Sequence, residues 1–218
     1  MKKNYDVHAL CVEAFSKISA SVTHEIKNTL SIINENAGLL NDLAMMAGED
    51  GGVPSGQVDS ATATIAKQVS RSNKIMLNFN RFAHSGDTPV GQANLQEILQ
   101  LMIALTSRQA ASKSVSVSIN CPDEITITTC LLPLEALLFF VLDNLYNVAD
   151  GGATLHIEAI VTGTETKIIF TEEERQSGRF DQYNSGEEEQ VLAQMLRGTC
   201  KKSSDAITIA FATNKEAK

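Results

Sequence analysis

No two of the four cysteines, at 11, 121, 130 and 200, stand at CxxC spacing, and none clusters with histidine. A zinc ribbon or finger is therefore excluded, and the thiols read as reduced core filler. Basic residues are not in excess: 18 Lys and Arg face 26 Asp and Glu, for a net charge of −8. That argues against nucleic acid or an anionic membrane as the main partner, because phosphate binding needs a surplus of cations. A long apolar run is missing too. The longest, Leu131 to Leu142, is broken by Pro133 and Glu135 and is too short to cross a bilayer. The opening residues MKKNYDVHAL lack the apolar stretch of a secretory signal. The expectation is a cytoplasmic protein without membrane insertion. There is no internal repeat and no Walker-type glycine loop.

Proline is also scarce where it would break helices. Residues from about 5 to 47 read as one helix, with Phe15, Ile18, Val22, Ile26, Thr29, Ile33, Ala37 and Leu40 at steps of three and four. The run from Gly48 to Gly56 cannot continue a helix and reads as a turn. A second helix is expected from about 58 to 84, with Ile65, Val69, Ser72, Met76, Phe79 and Ala83 in its seam. Ser85 to Gly91 then punctuates the chain, so one domain is expected over 1–87 and another over 92–218. An isolated pair of such helices leaves an apolar stripe uncovered. Two copies joined as a homodimeric four-helix bundle close it; packing of the hairpin on its own second domain is the alternative.

The second half changes rhythm. A helix from Asn94 to Ala111 precedes alternating strands at 115–119 and 125–128. A helix from Leu134 to Ala149 stops at Asp150-Gly151-Gly152, and strands follow at 153–161 and 167–170. The glutamates 172–174 and 187–189 read as irregular, solvated segments, with a short helix near 188–196 and a last strand near 206–211. The fold class is α+β: a helical hairpin, then a small α/β sandwich with a mixed sheet and helices on one face.

Chemistry concentrates at Ser21-Val22-Thr23-His24-Glu25-Ile26-Lys27-Asn28. Lys17, Ser21, His24, Asn28, Ser31 and Glu35 recur at helical steps and form a polar stripe opposite the apolar one. An exposed imidazole is partly neutral at pH 7 and is then a nucleophile. Glu25 is adjacent, and Asn28 lies one turn on, where its amide can hold a water or a phosphoryl oxygen. By spacing alone, a histidine on a solvated helix face next to a glutamate is usually just surface.

The segment Phe15 to Leu30, FSKISASVTHEIKNTL, resembles the H-box of two-component histidine kinases, in which His-Glu-x-x-Asn follows a hydrophobic, serine-rich run. The resemblance extends over about 5–85, that family's dimerisation and phosphotransfer hairpin. It implies that His24 carries phosphate, that Glu25 assists as base and that Asn28 supports transfer or dephosphorylation. Lys17, Ser21 and Ser31 would flank the docked partner. Thr29 stands where many members have proline, which removes a kink and touches no chemistry directly.

From about 93 to 212 the order of elements resembles that family's ATP-binding domain, and Val141 to Asp150 resembles its N-box helix. Asn144 matches the first asparagine of the pattern, but Val148 falls where the magnesium-holding asparagine belongs, and valine offers no oxygen ligand. Asn147 is one residue off, about 100° around a helix. Thr171-Glu172-Glu173-Glu174-Arg175 replaces the family's Asp-x-Gly-x-Gly, and Gly178, Gly186 and Gly198 are isolated.

The resemblance is to dimeric histidine phosphotransferases that keep a kinase-like shape without nucleotide. The expectation is a phosphorelay protein shuttling a phosphoryl group between response-regulator aspartates and His24. No cofactor of its own is expected; the magnesium belongs to the receiver domain of the partner. Two alternatives stand beside it: a divergent kinase that phosphorylates His24 from ATP, and a non-catalytic module that binds a response regulator.

Overall fold

The protein is described by a computed structural model, which covers residues 6–47, 52, 54–173, 179–183 and 185–212. It divides into two compact units, Ser19–Asn80 and Met1–Ile18 with Arg81–Lys218. The boundary expected between 87 and 92 is thus not where packing divides the chain. Leu10, Cys11, Ala14 and Ile18 are buried, Phe15 stacks on Phe82 at 5.7 Å, and Ser85 donates to Glu135 at 2.9 Å. These contacts tie both hairpin ends into the second unit.

Two helices supply the hairpin, α1 (Val7–Met46) and α2 (Ser55–Ala83). The turn expected at 48–56 falls largely outside the described residues. In the unit 19–80 the two helices meet through Val22 and Thr29 on α1 and Ala61 and Gln68 on α2, all buried. Thr29 Oγ1 and Ser72 Oγ share a hydrogen bond of 2.6 Å, a polar layer inside an otherwise apolar seam. Val69 and Met76, expected in that seam, are instead 44% and 46% exposed. The inner line of α2 passes through Ala61 and Gln68, which turns those two outward. Leu30, Leu39 and Leu77 are exposed as well, and a shallow groove of about 500 Å³ runs along α2 between Ala66, Ser70, Asn73 and Leu77.

The other unit is an α/β sandwich. Its elements are β1 (Gly91–Asn94), α3 (Leu95–Ser112), β2 (Ser116–Asn120), β3 (Thr126–Thr129), α4 (Leu131–Val148), β4 (Thr154–Thr162), β5 (Glu165–Glu172), α5 (Glu187–Met195), β6 (Gly198–Lys202) and β7 (Ile207–Ala212), with a 3-10 turn at Arg179–Gln182. The five-stranded sheet has the order β2-β4-β5-β7-β6; β2 runs parallel to β4 and the remaining pairs are antiparallel. Strands β1 and β3 form a separate antiparallel pair. Leu155, Ile157, Ala159, Ile168, Phe170, Ile207 and Ile209 point to the buried face, as period-two alternation requires. His156 lies on the opposite face beside Ser118 and is 40% exposed, as its alternation with Leu155 and Ile157 predicts.

Helix α4 is the core helix, buried from Leu134 through Leu142. Composition and length alone would also let it cross a membrane, but most of it is buried in the sandwich. It starts three residues earlier than expected because Pro133 sits in its first turn, where its missing N–H breaks no hydrogen bond. It ends at Val148, before Asp150-Gly151-Gly152, and Gly152 takes a φ of +94°, a left-handed turn suited to glycine. Helix α3 is capped by Asn94, whose side chain accepts from Glu97 N–H at 3.1 Å.

Two expectations for acidic segments are corrected. Thr171 and Glu172 extend β5, because the pairing of β4 with β5 continues to Leu155 opposite Glu172. Glu187–Glu189 form the first turn of α5, favoured by the positive end of the helix dipole, and Glu189 is fully buried. Glu174 lies outside the described residues.

Candidate functional site

His24 is exposed on the middle of α1. Its Nδ1 lies 3.3 Å from the Asn28 amide, one turn on, where i and i+4 side chains meet. Among the described residues no partner stands on Nε2. Glu25 turns a different way. Its carboxylate accepts from Arg71 of α2 at 2.6 Å, with the Glu25 side chain only 15% exposed. Thr29 is buried one turn below; besides its bond to Ser72 it donates to the Ile26 carbonyl at 2.8 Å, and α1 runs through it unbroken.

Of the stripe read from the sequence, His24, Asn28 and Ser31 are exposed, and His24 and Asn28 are brought together. Ser21 departs from it: only 7% exposed, it lies at the shoulder of the seam, one turn on from Ile18 and two from Ala14, both fully buried. An exposed docking role for Ser21 does not fit that position. Lys17 belongs to the other unit, where it pairs with Glu13 at 3.0 Å and lies over the Phe140 ring at 5.4 Å. Arg71 was not singled out in the sequence. It stands 46 residues beyond Glu25, and only the antiparallel pairing of the helices joins them.

The second cluster lies between α4 and α5. Glu189 Oε1 accepts from Asn144 Nδ2 and from the Tyr183 hydroxyl, both at 2.7 Å, and its Oε2 accepts from Ser185 at 3.2 Å. Burial pushes the Glu189 carboxyl upward, while its three donors hold it back. Burial and the Glu189 charge together push the Cys200 thiol up to about 12. Asn144 is therefore spent on an internal carboxylate. Beside it, Leu145, Val148, Ala149, Leu155, Glu172 and Phe180 close on a void of about 10 Å³. A cleft of about 360 Å³ opens next to these at Asp150–Thr154, and its ionisable side chains are Asp150, Glu172 and Glu173.

Neither a family model nor a curated protein matches the sequence. Solved structures do match in fold. The Acinetobacter baumannii histidine kinase AdeS is 12% identical, covers 88% of this chain and 98% of its own, and gives a TM-score of 0.49. The cytoplasmic segment of the histidine kinase QseC is 13% identical over 57% of this chain and 79% of its own, with a TM-score of 0.43. The histidine kinase ThkA, in complex with the response regulator protein TrrA, is 11% identical over 95% of this chain and 64% of its own, at 0.46. This chain itself is a long helical hairpin followed by an α/β sandwich.

Proposed function

We propose that this protein is a cytoplasmic histidine phosphotransfer protein of a two-component phosphorelay. His24 takes a phosphoryl group from an aspartyl phosphate on one response-regulator receiver domain and passes it to another, without binding ATP. The observation that supports this reading is an exposed His24 with Asn28 on its ring, set against a void of only about 10 Å³ at Val148, where the resemblance would put the magnesium nucleotide. A magnesium nucleotide needs oxygen ligands and neutralised phosphate charge. Val148 offers neither, Phe180 fills the adjoining space, Asn144 is bound to Glu189, and the neighbouring cleft presents Asp150, Glu172 and Glu173. Those carboxylates repel phosphate. Transfer from a receiver needs none of this machinery, because the receiver brings its own magnesium and acidic pocket.

The unit works as a homodimer in this reading. Leu30, Val69 and Leu77 are exposed along the hairpin. A second hairpin covers them. Ser31, exposed beyond Asn28, flanks the docking face.

The test is transfer from receiver domains of the protein's own genome, each phosphorylated with labelled acetyl phosphate. Label should move to the wild type and not to His24→Ala. Labelling of His24→Ala, or of neither protein by any receiver, contradicts the proposal.

A further inference from the structure

From Leu134 to Leu142 the core helix α4 is buried, and Glu135 is the only ionisable residue in that stretch. Its side chain is 2% exposed, between Leu134 and Ala136, both fully buried. Oε2 has no hydrogen-bond partner among the described residues, and Oε1 meets the Ser85 hydroxyl at 2.9 Å. Ser85 stands just past the end of α2, at the head of a strap that leads to β1. Its hydroxyl has a second neighbour, the Arg81 carbonyl at 3.1 Å. The strap lies close on α4: a Cβ at Gly86 would come within 3.2 Å of the Leu132 side chain.

A serine hydroxyl has one hydrogen to give and can accept another. With Glu135 ionised, its carboxylate and the Arg81 carbonyl compete for that hydrogen, and one acceptor goes without. With Glu135 protonated, the carboxyl gives its own hydrogen to Ser85 Oγ, and Ser85 gives its hydrogen to Arg81. Both bonds are then made. We propose that Glu135, Ser85 and the Arg81 carbonyl form a proton-operated latch, which joins the end of α2 to α4 while Glu135 carries its proton and opens when that proton is lost.

The charges around the latch do little to hold the ionised form. Arg81 is the cation that acts on Glu135, and its guanidinium is paired with Glu97 of α3 at 2.9 Å. Lys17 of α1 is paired with Glu13 and lies over the Phe140 ring. Beside Ser85, His84 lies 2.8 Å from Asp87. A buried carboxylate left with one shared hydrogen is costly, and the cost falls when the strap lifts and water reaches it. Burial accordingly raises the closed carboxyl from 4.5 to about 7. The closed latch keeps its proton over a range in which the open form has lost it. Closure therefore weakens as pH rises from 4.5 to about 7 and changes little beyond. Acidification from neutrality tightens the join of α2 to α4.

The test is hydrogen exchange of the full chain from about pH 5 to about pH 8, corrected for the intrinsic pH dependence of amide exchange. Residues 81–87 carry the local amide bonds Ser85 to Phe82 and Asp87 to His84, and β5 serves as the reference. In the wild type, protection over 81–87 should fall by up to about tenfold per pH unit and level off above about pH 7, with β5 the better protected throughout. Glu135→Gln keeps a donor where the protonated carboxyl has one, so its protection over 81–87 should stay flat. Ser85→Ala removes the relay and should lower that protection about fivefold at the acid end, the worth of one hydrogen bond. Protection over 81–87 that is flat with pH in the wild type, that falls as steeply in Glu135→Gln, that Ser85→Ala leaves unmoved, or that matches β5 at every pH would overturn the proposal. His24 takes no part in the latch, so this outcome is independent of the receiver assay.

Discussion

His24 and Glu189 each gather an asparagine, and there the likeness ends. Asn28 meets the His24 ring in solvent, on one face of a helix, with Nε2 left open. Asn144 meets the Glu189 carboxylate at 0% exposure, together with Tyr183 and Ser185, with burial driving the carboxyl upward. The first arrangement leaves a reactive atom available to a partner. The second fills the acceptor capacity of a buried group, as a closed interior demands. Polar side chains of the second cluster thus serve the fold: they hold α4, α5 and the Tyr183 segment together.

Breaking the two clusters should give opposite kinds of loss. The largest effect is on activity: His24→Ala abolishes phosphoryl transfer in the receiver assay while thermal unfolding stays at the wild-type midpoint. Next is Glu189→Ala, which strips the shared acceptor from Asn144, Tyr183 and Ser185. Unsatisfied buried donors cost about 1–3 kcal/mol each, so a loss of roughly 3 kcal/mol or more is expected in urea unfolding. Asn28→Ala, at the exposed cluster, should change stability by less than about 0.5 kcal/mol. Equal losses from Glu189→Ala and Asn28→Ala would erase the contrast.

Glu135 sharpens it through pH. It is 2% exposed, Ser85 donates to its Oε1 at 2.9 Å, and its Oε2 has no hydrogen-bond partner among the described residues. Burial raises its carboxyl to about 7, against the bond from Ser85 and the charge of Arg81. A raised carboxyl means that the folded state prefers the proton. The stability it contributes is fully present below 4.5 and is lost as pH rises through about 7. The sandwich unit should weaken over that window by at most about 3 kcal/mol, and Glu135→Gln should flatten the dependence in unfolding curves taken across it. The smallest effect belongs to the surface. Separating the Glu13–Lys17 pair, 3.0 Å long and half-exposed at both ends, should change stability by about 0.3–0.5 kcal/mol. A Lys17→Met unfolding curve checks this.

Much of the fold was legible because its periodicities are strong. The hairpin helices follow from apolar steps of three and four, and the strands β2, β4, β5 and β7 from β-branched alternation. Strands β1 and β6 were not legible. Gly91-Gln92-Ala93-Asn94 and Gly198-Thr199-Cys200-Lys201-Lys202 have little strand propensity of their own and are extended by pairing with β3 and β7. The burial of Glu189 was equally hidden, since a run of three glutamates reads as solvated until Tyr183 and Asn144 are brought to it. At the candidate site, His24 and Asn28 were singled out by the resemblance of Phe15 to Leu30 to the H-box, and spacing along one helix only put them on one face. Arg71 was not, because its link to Glu25 crosses between helices, and Ser21 misled because the seam is wide enough to bury its shoulder.

One measurement bears most directly on the account: labelling of His24 from two donors side by side, magnesium with γ-labelled ATP and a receiver domain carrying labelled aspartyl phosphate, with His24→Ala as control. The account predicts label on the wild type from the phospho-receiver and none from ATP. Label arriving from ATP on the wild type and not on His24→Ala would mean that Val148, Phe180 and the carboxylates beside them admit a nucleotide, and that the protein is a kinase.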